Sequence, residues 1–235
     1  MLSLNGWLNG GTAALVVIFS GVFSIIVLIK SIREKSTILT FAALMGLFAG
    51  LLWLGPATDF FTILVTQSNL DNSSGLYGIL SYTWVFPASF CAVYLGSELM
   101  MLEHKNLFLG VIAIIGIIFE FFLFNFTMNV FVFHPPETAG QNLIDSNFVY
   151  GSISFILIAV FLAFVFFLCG LGTLIMAKKS TGVIRQKFLL LSSSFNLFII
   201  VAIFDSLFAP LGILFLVRLG MIACAFLLYY GVKST

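Results

Sequence analysis

Apolar residues run along this chain in blocks too long for an ordinary soluble core, separated by short polar stretches. A helix needs about 20 mostly apolar residues to cross the hydrocarbon layer of a bilayer. Seven blocks meet that length, at 11–30, 38–56, 77–102, 107–128, 148–176, 188–207 and 211–232. The pattern predicts an all-α fold, a seven-transmembrane-helix bundle forming a single transmembrane domain over 1–235. The fifth block is long enough to tilt or to project beyond the membrane. Between the sixth and seventh, "FAPLG" is so short that it implies an antiparallel hairpin, with Pro210 ending one helix or opening the next.

Two connections on one side exceed what a turn requires: "ATDFFTILVTQSNLDNSSGLYG" and "NVFVFHPPETAGQNLIDSN". Their apolar residues predict a short interfacial helix or strand ahead of a polar turn, and either could cap the bundle. Asn72-Ser73-Ser74 forms a glycosylation sequon in the first of them, a tripeptide also common by chance.

Composition sharpens the class. Hydrophobic residues make up 61% and charged residues 8%, against about 25% charged in a typical soluble domain. The net charge of +1 leaves no basic footprint for nucleic acid, so the partner implied by composition is the lipid bilayer. Cys91, Cys169 and Cys224 lie singly inside apolar blocks, a spacing that builds neither a redox pair nor a zinc site. The first block lacks the preceding positive charge of a secretory signal and is expected to be a retained helix.

The placement of charge sets an orientation. Lys30, Arg33, Lys35, Lys105, Lys178, Lys179, Arg185, Lys187 and Lys233 all fall on one side of the predicted bundle. The opposite connections carry Asp59, Asp71, Glu137 and Asp145 without a lysine or arginine. Positive charge marks the cytoplasmic face, so the amino terminus is expected outside and the carboxyl terminus inside, in the cell membrane.

Arg218 breaks the rule, lying within the seventh block. At 1.5 Å per residue it stands roughly 10 Å below the outer end, and Glu120, in the fourth block, stands at a matching depth. Asp205, near the outer end of the sixth block, lies slightly higher. A charge in the membrane is costly and normally faces the protein interior. These residues predict an outer-half polar cluster of Arg218 with Glu120 and Asp205, joined by Asn125 and Asn196, which either binds a ligand or holds the seventh helix in register. Glu98 lies near the basic end beside Lys105 and is expected to reach toward water.

Ala42, Gly46 and Gly50, four residues apart in the second block, form a stripe that admits close helix approach, with a partner inside the bundle or in a second copy. Pro87 predicts a kink in the third block, static or mobile. His104 and His134 fall on opposite sides and cannot share a metal or haem. No catalytic motif is present, and Ser192, Ser193 and Ser194 lack a nearby histidine base, so no catalytic residue, metal or cofactor is expected. An enzyme here would have to use Glu120, Asp205 or Glu98 as its acid or base.

Seven helices with an external amino terminus invite comparison with microbial rhodopsins, but the seventh block has no internal lysine for a retinal Schiff base. Residues 185–231, "RQKFLLLSSSFNLFIIVAIFDSLFAPLGILFLVRLGMIACAFLLYYG", resemble the last two helices of seven-helix membrane sensor modules of prokaryotic signalling proteins. The shared features are basic residues before the sixth helix, an acid at its outer end, a short hairpin, an arginine in the seventh helix and an aromatic-glycine ending. The resemblance implies a sensory or receptor-like module that binds a small ligand or lipid. With no output domain before Thr235, it also implies signalling through a separate cytoplasmic or membrane partner, for which "KKSTGVIRQK" is the candidate docking loop. The alternative class is a non-catalytic subunit of a membrane complex or a small transporter.

Overall fold

The computed structural model describes residues 2–207 and 214–232. It is all-helical apart from one two-stranded sheet. The "FAPLG" hairpin with Pro210, and Lys233, lie outside the described residues.

Helix α1, Leu4–Glu34, begins seven residues before the apolar block does. Its start is set by Ser3, whose hydroxyl accepts from the Gly6 amide at 3.0 Å, satisfying one of the donors that a helix leaves open at its first turn. Ser36 caps α2, Thr37–Leu51, in the same way, accepting from Leu39. Of the Ala42, Gly46 and Gly50 stripe, the two glycines face α1, and Ala42 is buried in the main core cluster. A Cβ on Gly50 would come within 2.1 Å of the Ser20 side chain and one on Gly46 within 3.3 Å of Phe23. The close partner therefore belongs to the same chain.

The second block does not end in a loop. At Leu52–Trp53 it bends by 49° into α3, Leu54–Thr66, so the interfacial segment expected after it is a helix. The third block is divided into α4, Leu76–Tyr82, and α5, Val85–Met100. Pro87 sits in the first turn of α5, where its missing amide donor costs nothing, and the interruption falls at Thr83–Trp84, where its ring would otherwise meet the carbonyl four residues back. A 3₁₀ turn leads into α6, Lys105–Asn125, followed by the single turn α7, Thr127–Val130.

The second long connection contains strands β1, Phe131–His134, and β2, Asp145–Phe148, paired antiparallel with Phe131 opposite Phe148 and His134 opposite Asp145. Their aromatic side chains seat the hairpin. The Tyr82 and Phe131 rings stack at 4.8 Å, and Phe148 stands edge-on to Tyr82 at 4.6 Å. The fifth block becomes α8, Ile153–Phe164, a π-helical segment, Val165–Leu171, and α9, Gly172–Lys179. Helices α10, Gly182–Leu207, and α11, Leu214–Val232, complete the chain.

Among the described residues, five helical segments are long and apolar enough to cross a membrane, six if α2 and α3 form one bent span; the apolar run Leu216–Val232 of α11 is shorter. Ile18, Val22, Ile25 and Ile29 of α1 and Ile114, Ile117 and Phe121 of α6 point outward, as bilayer contact requires. This is the build of a multi-pass membrane protein. The hairpin, α3 and the start of α1 meet at one end, here termed the cap. At the other end Leu39 and Ala43 of α2 pack with Val232, and Lys105 pairs with Glu98 at 2.6 Å while lying 4.0 Å over the Tyr94 ring.

Candidate functional site

The cap is built around Asp59, which is 0% exposed on α3. Its carboxylate accepts from the amides of Leu70 and Ile144, each at 2.8 Å, and from the Asn69 side chain at 3.1 Å. Asn69 in turn donates to the Asn142 carbonyl at 2.9 Å and accepts from the Gly140 amide at 2.8 Å. Gly140 has φ +74, and a Cβ there would lie 2.2 Å from the Gln67 carbonyl oxygen, so glycine is needed to bring the two connections together. The amino terminus joins them: the Ser3 amide donates to the Gln141 carbonyl at 2.8 Å and its hydroxyl to Asn142. Outside this clasp, exposed Asp71 accepts from the Ser73 amide at 3.0 Å. That bond, aided by the Ser73 hydroxyl, holds its carboxyl below the usual carboxylate range.

By fixing Ile144, the clasp sets the roof of a polar cavity of about 50 Å³. Asn9 of α1, Tyr77 and Tyr82 of α4, Asp145 of β2, Asp205 of α10 and Arg218 of α11 line it. Arg218 is 5% exposed and donates to the main-chain carbonyl of Asn9, while its Nε has no partner. Its electrostatic neighbours are Asp205, Tyr77 and Asp145. Among the described residues the ion pairs are Lys30–Glu34 and Lys105–Glu98, so Arg218 shares its cavity with two carboxylates without an ion pair to either.

Beside it lies a larger apolar cavity of about 120 Å³, lined from α2, the α2–α3 bend, α4, α5, α8, the π segment, α10 and α11. Trp53, Tyr82, Phe161, Phe195 and Phe198 supply aromatic walls, and Asp205 is the one charged side chain among the described lining residues. Leu52, Tyr82 and Asp205 line both cavities and form their common wall.

The expected cluster is thus reassigned in part. Arg218 faces the interior and shares a cavity with Asp205, but Glu120 makes no ion pair with it. The Glu120 carboxyl oxygens are buried elsewhere on α6 without a hydrogen-bond partner. Asn125 is exposed and donates to the Phe121 carbonyl of its own helix at 2.8 Å. Asn196 donates to the Ser192 carbonyl at 2.8 Å, lies against Gly170 of the π segment and is not among the described residues lining the Arg218 cavity. Helix α6, expected to line the pocket, contributes none of the described lining residues, and α2 and α8 take part instead.

Asp59, Asn69, Asn9, Tyr77 and Asp145 were not anticipated as site-forming residues. The signal for Asp59 was present, an acid inside the helical pattern "LGPATDFFTILVT", followed ten residues later by Asn69. No group of three or more His, Cys, Asp or Glu among the described residues is placed to hold a metal ion. No family model, curated protein or solved structure matches this chain.

Proposed function

We propose that the protein is a sensory or receptor-like membrane module that holds a small ligand or lipid-like molecule inside the bundle and signals through a separate partner. The observation that carries this reading is the apolar cavity of about 120 Å³ abutting a polar compartment that contains buried Arg218. Ligand sites commonly combine mostly apolar walls with a few convergent polar groups. The cavity is assembled from elements spread over most of the chain, so a ligand there bears on their relative packing. The resemblance of residues 185–231 to seven-helix sensor modules points in the same direction.

In this reading α1, α2 with α3, α4 with α5, α6, α8 with α9, α10 and α11 are seven passes through the cell membrane. The cap and amino terminus lie outside, and the basic end and carboxyl terminus are cytoplasmic. Support comes from the one-sided lysines and arginines. The basic turn around Lys178, Lys179, Arg185 and Lys187 joins the cavity-lining α8–α9 segment to α10 and is the proposed docking point for the output partner.

The test is to purify wild type and Ala92→Phe from native membranes and compare their co-purifying small molecules by mass spectrometry. Ala92 lines the apolar cavity, and phenylalanine there occupies its space. A molecule enriched with wild type and lost from a folded Ala92→Phe supports the reading. Equal small-molecule content in both proteins counts against it.

A further inference from the structure

We infer that the ligand is an organic ammonium carrying one compact apolar arm, with the ammonium seated at Asp205 and the arm in the aromatic cavity. This rests on the internal ligand site proposed above and specifies its chemistry. Three observations lead to it.

First, the apolar cavity has one charged side chain among its described lining residues, and that side chain is a carboxylate at the wall shared with the polar compartment. Apolar walls reward burial of hydrocarbon, and a single carboxylate at one end orients a positive head. Second, among the described residues Asp205 has no ion-paired cation, although Arg218 lines the same polar cavity. Arg218 is instead held by the Asn9 carbonyl of α1. In formal charge among the described lining residues, Arg218 offsets one of the two carboxylates, Asp145 and Asp205, and a monocation balances the other. An anion would leave the compartment with two uncompensated negative charges.

Third, the surroundings suit the two parts of such a molecule. Trp53, Tyr82 and Phe198 line the cavity that Asp205 enters, and aromatic faces attract ammonium ions that have lost part of their hydration. The cavity volume of about 120 Å³ bounds the arm, since a dry apolar cavity of about 150 Å³ accepts benzene. A branched alkyl or single-ring arm fits this scale. A full lipid tail does not.

The test is calorimetric titration of the protein in lipid nanodiscs with 2-phenylethylammonium, 2-phenylethanol and 3-phenylpropionate, with protein-free nanodiscs subtracted. These molecules share the ring and differ at the head. The ammonium is expected to bind saturably and about tenfold or more tighter than the alcohol, the scale of one charge-assisted hydrogen bond, with the carboxylate weakest. Asp205→Asn should remove the preference for ammonium while leaving the alcohol within about threefold of its wild-type affinity. Should that variant fail to fold, the three-ligand order on wild type decides alone. Alcohol or carboxylate binding as tightly as the ammonium overturns the assignment of charge but leaves the internal site standing. Absence of saturable binding by all three overturns the ammonium assignment, while the co-purification comparison independently judges the internal site.

Discussion

Asp59 and Arg218 are both buried ionisable residues near the cap, yet their surroundings differ in kind. Asp59 accepts from two main-chain amides and an asparagine, and each of those partners belongs to a connection that must be held. Arg218 bonds to one carbonyl, leaves its Nε without a partner and shares a cavity with carboxylates with which, among the described residues, it forms no ion pair. A fully satisfied buried charge is a structural fastener. A partly satisfied one beside a cavity is poised to interact with something else. The difference separates the architecture of the cap from the chemistry of the site below it.

The comparison can be broken most directly at Asp59. Asp59→Ala should lower stability by about 3 kcal/mol or more, because it strands the Leu70 and Ile144 amides and frees Asn69. Thermal unfolding in detergent reads the loss, and proteolysis should become faster in residues 67–75 and 135–144. An unchanged melting temperature would remove Asp59 from its role as fastener.

Arg218→Met should cost much less, about 1 kcal/mol, since it gives up one hydrogen bond and also relieves the burial of a guanidinium. A loss as large as that of Asp59→Ala would make Arg218 a structural residue first. Glu120→Met should raise the melting temperature slightly, by the equivalent of about 1 kcal/mol or less, because its buried carboxyl oxygens lack partners. Proteoliposome flux that depends on Glu120 would instead favour the transporter alternative and assign that acid a working role.

The smallest effect belongs to Asp71, exposed and bonded only within its own turn. Asp71→Asn should leave the melting temperature nearly unchanged. Its carboxyl is held below the usual range by the Ser73 amide and hydroxyl. The contribution of that bond is therefore present above the unfolded carboxylate value and is lost as pH falls through the lower folded one. Side-chain NMR titration reads the shift, and a midpoint at the ordinary value would show that the turn does not hold in solution.

How much of this could be read beforehand follows from the range of each interaction. The apolar blocks announce helices because burial in lipid is a demand on each segment separately, but not their ends: α1 starts seven residues before its block, and the second block runs on into α3. The interior position of Arg218 also follows from a local argument, the cost of placing a guanidinium against lipid. Glu120 does not line the Arg218 cavity, because rise per residue gives height along a bundle but not the face on which a side chain stands. Two residues at one height can therefore be separated by the helices between them.

Composition and block length by themselves determined an all-helical, apolar, membrane-type chain with its basic residues gathered toward one end. The small-residue stripe of Ala42, Gly46 and Gly50 likewise announced close packing, and its contact with Ser20 and Phe23 places that packing within the chain. Only the tertiary structure decided that Asp59 binds Asn69, Leu70 and Ile144, that Pro87 restarts a helix, and that Asp205 forms a wall common to two cavities. The physical reason is that helix formation and lipid burial are satisfied segment by segment, whereas a hydrogen-bond partner or a cavity exists only once distant segments have been brought together.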